Sequence, residues 1–198
     1  MIDEVLAGYA AAASDEMIAR YEAMSSTQIY EPVLDLLPTS PCRVLDIGAG
    51  TGRDARWLAG LGHRVSAVEP VQELIHGREA NSALQIEWLS ARLPGLEGVA
   101  GQFDLLTLCG VWQHLEEHQR PPAMASLRRL TAAEGRVVLY LRHGPGAPGR
   151  PVWPIVPEAT IGYAMDQGFR VLRQRRVQSV SPENRAAGVD WTWLVLEC

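Results

Sequence analysis

The chain has 198 residues, 47% of them apolar, and a formal net charge of −5, enough length for one well-buried α/β domain and short for two. No window approaches the roughly 20 apolar residues of a membrane span, and the acidic balance argues against a nucleic-acid backbone as substrate, which calls for a strongly basic face. Asp3 and Glu4 stand where a secretory leader is basic, and Cys42, Cys109 and Cys198 are scattered and odd in number, so a cytoplasmic chain with reduced thiols and no metal motif is expected.

Residues 7–24 place Tyr9, Ala13, Met17 and Tyr21 at helical spacing and predict one or two amphipathic helices, with another over 29–37 before Pro38. Residues 1–40 are expected to form a helical cap and 41–198 the core of a single domain. The first strand, 43–47, carries Val44, Leu45 and Ile47 and reads as covered on both faces. It runs into Gly48, Ala49, Gly50, Thr51 and Gly52 and then an amphipathic helix, whose first amides are free to face a ligand. Asp54 suits the positive end of that helix; Arg53 is there either for a ligand carboxylate or as a solvated side chain.

Two glycine fingerprints compete for this turn, and spacing separates them. The dinucleotide pattern G-x-G-x-x-G fails because Arg53 stands in the third glycine's place, and the P-loop fails for want of its lysine. The next strand, 64–68, ends at Glu69. A carboxylate there lies beside the first glycine turn and can accept hydrogen bonds from a ribose diol, which implies a ribose but no phosphate.

Further strands are expected at 85–89, 103–108, 135–142, 169–178 and 189–197, with helices after the first two strands, before the fifth and before the sixth. The helix before strand five starts at Pro121-Pro122 and ends before Gly135; the one before strand six spans 157–167 and stops at Gly168. The last two strands read as an antiparallel hairpin at the sheet edge. Its Arg170, Arg173, Arg175 and Arg176 read as edge protection, with RNA contact the alternative. Prolines at 145, 148, 151, 154 and 157 repeat every three residues. They predict either a polyproline stripe offered to a partner or a stiff wall beside a pocket, with Trp153 facing the substrate.

Val44 to Ala55, the stretch from Gly62 to Pro70 with its acidic strand end, the segment 88–94 and the segment 103–115 occur in the order and spacing of four motifs of the class I S-adenosylmethionine-dependent methyltransferases, which the chain resembles over most of its length. The resemblance implies a doubly wound, seven-stranded, mostly parallel Rossmann-like α/β sheet with an antiparallel C-terminal hairpin and an N-terminal helical lid. It implies S-adenosylmethionine as cofactor and S-adenosylhomocysteine as product. By position, Asp46, Gly48, Ala49, Gly50, Gly52 and Arg53 would surround the methionine end, Glu69 and Pro70 the ribose, and Ser90, Ala91 and Arg92 the adenine. Cys109, after strand four, and Trp112 with Gln113 in the turn beyond it would complete the cofactor contacts at the methionine end. The family often has an acidic residue where this chain has Ser90 and Ala91, so the adenine contact passes to the Ser90 hydroxyl or to backbone groups.

Methyl transfer from a sulfonium asks mainly for alignment, and for a base only when the acceptor must lose a proton early. Two histidines stand at strand ends. His114 reads as base or acceptor-orienting group, or as a capping residue; His143 reads as a base or as a loop-fixing residue. Arg142 could pair with an acidic group of the substrate, and the lid would bring Tyr9 and Tyr21 to it unless both are ordinary packing residues. The expectation is methyl transfer to a small-molecule acceptor. An RNA or protein methyltransferase and a non-catalytic module using the Pro145 to Pro157 stripe are the alternatives. Neither nucleic acid nor membrane is expected as a partner.

Overall fold

The computed structural model describes residues 2–76 and 82–198. Seven strands form one sheet: β1 (Arg43–Ile47), β2 (Arg64–Val68), β3 (Glu87–Leu89), β4 (Phe103–Cys109), β5 (Thr131–His143), β6 (Arg170–Gln178) and β7 (Asp190–Glu197). Their order is β3-β2-β1-β4-β5-β7-β6. The first five pair in parallel, and β7 lies antiparallel between β5 and β6. The expected doubly wound sheet with its terminal hairpin is therefore present. The order in which strands are added reverses between β1 and β4, and ligands in open α/β sheets bind at the carboxyl ends beside such a reversal.

The apolar runs of β1, β4 and β5 are buried on both faces. Leu45, Ile47, Leu106, Leu139 and Leu141 pack on one side with Met124 and Leu127 of the helix Arg120–Leu130. On the other side, Val44, Leu105 and Val138 meet Leu58 of the helix Arg53–Gly60. Each such side chain contributes about 1.5–3 kcal/mol on burial.

The N-terminal forty residues divide. Helix α1 (Ile2–Ala12) and helix α2 (Asp15–Glu22) lie at the carboxyl end of the sheet. Met17 packs there with Val71 and Leu74, against Leu6, Tyr9 and Tyr21. The segment expected as a third cap helix is instead a short α-turn, Ser26–Tyr30, continued by a 3-10 turn, Glu31–Leu36. Pro32, which has no amide donor, stands at the junction. Ile29, Tyr30, Val33 and Leu37 are buried on the sheet face, with the Tyr30 ring 5.0 Å from those of both Trp57 and Trp193. This segment belongs to the core, not to a cap.

Other boundaries moved. The helix before β5 ends at Leu130, where the Thr131 hydroxyl donates to the Leu127 carbonyl at 2.7 Å, and the strand begins at Thr131 rather than 135. Gly135 is therefore no helix stop. It lies inside β5, where pairing with β4 is irregular and Glu134 has φ +59°. Strand β3 starts at Glu87, two residues late, after Gln85 at φ +54°. A 3-10 turn, Gln72–Leu74, follows β2, and most of the helix expected there falls outside the described residues.

Three of the four arginines of the β6 cluster are ion-paired: Arg173 meets Asp35 at 2.5 Å, Arg176 meets Asp190 at 2.8 Å, and Arg170 contacts Glu197. That arrangement fits a protected sheet edge better than an RNA surface. Among the described residues, no helix is long and apolar enough to cross a membrane.

Candidate active site

One cavity of about 570 Å³ opens at the carboxyl ends of β1, β2, β4 and β5, under α1 and α2. Its floor is the turn after β1. Gly48 and Ala49 donate their amides to the Val68 carbonyl at 2.8 and 3.0 Å, which ties the turn to β2. A Cβ on Gly48 would lie 2.4 Å from Val111 Cγ2, so close packing against the turn after β4 requires glycine here. Gly50, at φ +56°, has no atom within 4 Å of the place a Cβ would take; it faces open cavity.

Glu69 closes the corner. Its Oε2 accepts the Gly50 amide and its Oε1 the Val71 amide, both at 2.8 Å. The side chain is 5% exposed, and burial raises its pKa against the effect of those two amides. A carboxylate has about four acceptor positions, so two remain for a diol.

Asp46 lies deeper. Its Oδ1 accepts the Thr107 hydroxyl at 2.8 Å, while Oδ2 is buried without a partner. Burial and then the nearby charge of Asp54 push its pKa up to about 7. Gln113 supplies a second orphan: its amide donates to the Gly110 carbonyl at 2.5 Å, and its Oε1 is buried without a partner. Two unsatisfied acceptors lining one cavity mark a place for a ligand's donors, because such atoms are otherwise costly to bury.

Arg53 has a protein reason for standing at a helix start. Its guanidinium meets Asp54 through Nε–Oδ1 at 2.8 Å and Nη2–Oδ2 at 2.9 Å, and its Nη1 donates to the Tyr21 carbonyl at 3.2 Å. Ser26 Oγ donates to the same Asp54 at 2.6 Å. This buried knot links α2, the segment after it and the helix that follows the glycine turn.

On the far wall, His114 is buried between two partners. Nδ1 lies 2.8 Å from the Pro151 carbonyl and Nε2 lies 3.0 Å from the Tyr9 hydroxyl. A carbonyl only accepts, so Nδ1 carries the proton and neutral Nε2 accepts from Tyr9. Burial lowers the His114 pKa, partly offset by the Pro151 carbonyl.

The cavity gathers most of the residues singled out in the sequence. Asp46, Gly48, Ala49, Gly50, Arg53, Glu69, Ala91, Arg92 and Cys109 line it, as do Tyr9, Tyr21, His114 and Arg142. Arg92 is at the rim, where it contacts Asp3 of α1. Six candidates lie outside the cavity lining. Gly52 is the N-cap of the helix Arg53–Gly60, Pro70 is half-buried beside Glu69, and Ser90 is exposed. Trp112 is wholly buried in the core, and its neighbour Gln113 takes the place at the cavity. His143 Nε2 lies 2.8 Å from Thr192 Oγ1 of β7, so its ring faces the neighbouring strand, consistent with loop fixing. Trp153 donates its amide to the Gln113 carbonyl at 2.8 Å, and its ring lies in a separate hollow with His143.

The proline stripe is interrupted. Ala147 and Arg150 pair across a turn through Pro148 and Gly149, and the Pro151 and Pro154 carbonyls accept from His114 and Arg120. The segment is a wall of the site rather than a free polyproline helix. Sequence reasoning missed Arg150 in this wall and Thr107 on β4. A lone arginine among glycines and prolines was the available signal for the first; nothing marked the second.

Residues 44–135 match a family model described as "Methyltransferase domain". A ubiquinone biosynthesis O-methyltransferase from Methylocella silvestris is 33% identical over 81 residues, which span 39% of this chain and 32% of that protein. The chain thus aligns with about a third of that relative's length. Among solved structures, the Burkholderia thailandensis 1,6-didemethyltoxoflavin-N1-methyltransferase, bound to its substrate and S-adenosylhomocysteine, superposes with a TM-score of 0.65 at 23% identity, covering 92% of this chain and 79% of that one. The cyclopropane synthase MmaA2 of Mycobacterium tuberculosis gives 0.75 at 15% identity, covering 100% and 98%. At these identities the structures speak for the fold. Residues 44–135 thus match a methyltransferase domain, and that stretch runs from β1 through β4 and holds the glycine turn of the fold these structures share.

Proposed function

We propose that this chain transfers the methyl group of S-adenosylmethionine to a small-molecule acceptor held beneath α1 and α2. The observation that carries the reading is that one cavity joins the Gly50–Glu69 corner to the Tyr9–His114 pair. The cofactor fits what is there. Glu69 retains acceptor positions for a ribose diol, Gly50 leaves the floor open, and the orphaned Asp46 Oδ2 and Gln113 Oε1 suit an ammonium or other donors of the methionine end. When bound, the cofactor supplies a methyl carbon already activated by a sulfonium.

The chain's own part is to hold and shield. Alignment of two reactants can supply up to roughly 7–11 kcal/mol in ideal cases, and Tyr9, Tyr21 and Leu6 of the overlying helices limit water at the acceptor side. An acceptor that must lose a proton meets His114, neutral by burial, with Nε2 as the basic atom. The Tyr9 hydroxyl now occupies that nitrogen and stands between it and the cavity's ligand. Small-molecule acceptors are the reading supported by the ubiquinone and toxoflavin relatives and by the overlying helices, which leave little room for a folded macromolecule.

The test is transfer of labelled methyl groups into cell extract divided by a small-pore filter. Label in the filtrate, surviving nuclease and protease treatment, is expected. Label confined to the retained fraction and lost on either treatment would refute a small-molecule acceptor.

A further inference from the structure

Five arginines line the cavity: Arg20, Arg53, Arg92, Arg142 and Arg150. The first three are answered by carboxylates, namely Glu183 at 3.6 Å, Asp54 at 2.8 Å and Asp3. Arg142 and Arg150 have no carboxylate within 4.0 Å among the described residues. Their partners are neutral. Arg142 Nη2 donates to the Pro145 carbonyl at 2.7 Å, and its guanidinium lies 5.6 Å from the centre of the Trp191 ring. Arg150 Nη1 donates to the Tyr21 hydroxyl at 3.3 Å, its guanidinium lies 5.2 Å from the Tyr9 ring centre, and its Nε is buried without a partner.

The place of this pair in the fold matters. Arg142 is the last residue but one of β5, two strands from β1 and three from β2, so at about 4.8 Å per strand it stands roughly 10–15 Å across the sheet from the Gly50–Glu69 corner. That is the acceptor side. Burial lowers the Arg142 pKa; the Tyr9 and Tyr21 hydroxyls oppose that effect and the like charge of Arg150 reinforces it. In a chain of net charge −5, two partly buried guanidiniums lining one cavity without a counter-ion are costly unless something anionic joins them. A carboxylate or phosphate oxygen pair matches the planar donor fork of arginine.

We infer that Arg142 and Arg150 form an oxyanion clamp and that the methyl acceptor is a small molecule bearing a carboxylate or phosphate. The inference rests on the methyl-transfer reading and narrows its substrate class.

The experiment titrates the full chain, saturated with S-adenosylhomocysteine, with benzoate, phenyl phosphate and neutral benzamide. At least one anion is expected to bind about tenfold or more tightly than benzamide, the usual worth of a charge-assisted hydrogen bond, and the stronger of the two identifies the head group. Arg142→Met and Arg150→Met should each erase most of that preference, Arg150→Lys should restore part of it, and affinity for S-adenosylhomocysteine should be unchanged in all three. Equal binding of the three probes would overturn the clamp. So would variants that keep the preference but lose S-adenosylhomocysteine, since the two cations would then hold the donor's own carboxylate. An unmodified chain that does not bind S-adenosylhomocysteine would instead sink the methyl-transfer reading, and the clamp with it.

Discussion

Replacing Glu69 by glutamine tests the cofactor corner most directly. The carboxylate accepts the Gly50 and Val71 amides at once, each at 2.8 Å. Glutamine keeps one acceptor oxygen and sets an NH₂ group against the other amide, so one charge-assisted bond of about 1.5–3 kcal/mol is lost. Burial raises the Glu69 pKa, which means the desolvated charge itself opposes folding, and removing it returns part of that loss. The lower end of the range is therefore expected, a fall in melting temperature of about 3–6 °C for a chain of this length. Loss of the ribose acceptor should also weaken S-adenosylhomocysteine by about tenfold or more. Thermal unfolding without ligand and calorimetry with it read the two effects separately. An unchanged melting temperature would refute the claim that Glu69 fastens the glycine turn. A lowered one with undiminished affinity would refute its ribose role.

Gly50→Val adds a branched side chain at φ +56° pointing into open cavity; about 1–3 kcal/mol of strain is expected, together with loss of S-adenosylhomocysteine binding by calorimetry and an unchanged circular dichroism spectrum. Asp46→Asn should stabilise the chain by roughly 1–3 kcal/mol at pH 8 while weakening the cofactor. Because the folded pKa of about 7 lies above the unfolded value, ionisation removes stability as pH rises from about 4 to 7; urea titrations at pH 5 and 8 must therefore show the variant's advantage growing with pH. Deleting residues 1–24 should leave a folded chain with weakened cofactor binding, whereas deleting 1–30 should fail to fold because Ile29 and Tyr30 are core residues; equal melting temperatures for the two truncations would contradict that boundary.

The sheet was legible because its strands carry their own signal. Val44, Leu45 and Ile47 are apolar in succession because helices cover both faces of β1, and Gly48 follows because Val111 leaves no room for a Cβ. Boundaries were less legible where tertiary contacts override local chemistry. Gly135 looks like a helix stop, yet the Thr131 hydroxyl ends the helix four residues earlier and lets pairing with β4 extend the strand. Residues 29–37 have the periodicity of a helix on any apolar surface; nothing local says that the surface is the sheet, where Tyr30 enters between Trp57 and Trp193.

The two halves of the site differ in the same way, and the difference follows from how each is built. The cofactor corner is a local device: a turn and the end of the adjacent strand, Gly50 and Glu69 nineteen positions apart, whose residue types are dictated by backbone conformation. The acceptor wall is assembled across the chain. Tyr9 reaches His114 over 105 positions and Arg150 reaches Tyr21 over 129, so no window of sequence holds both members of either pair. His143 and Trp153 stand one and two residues from cavity-lining Arg142 and from the Pro151 carbonyl that holds His114, yet both line only the adjoining hollow. In a strand, neighbouring side chains point to opposite faces, so Arg142 reaches the main cavity, while lining the hollow as well, and His143 one step on does not. Position along the chain can nominate a strand end; only the pleat and the wall behind it decide which of its residues meets the acceptor.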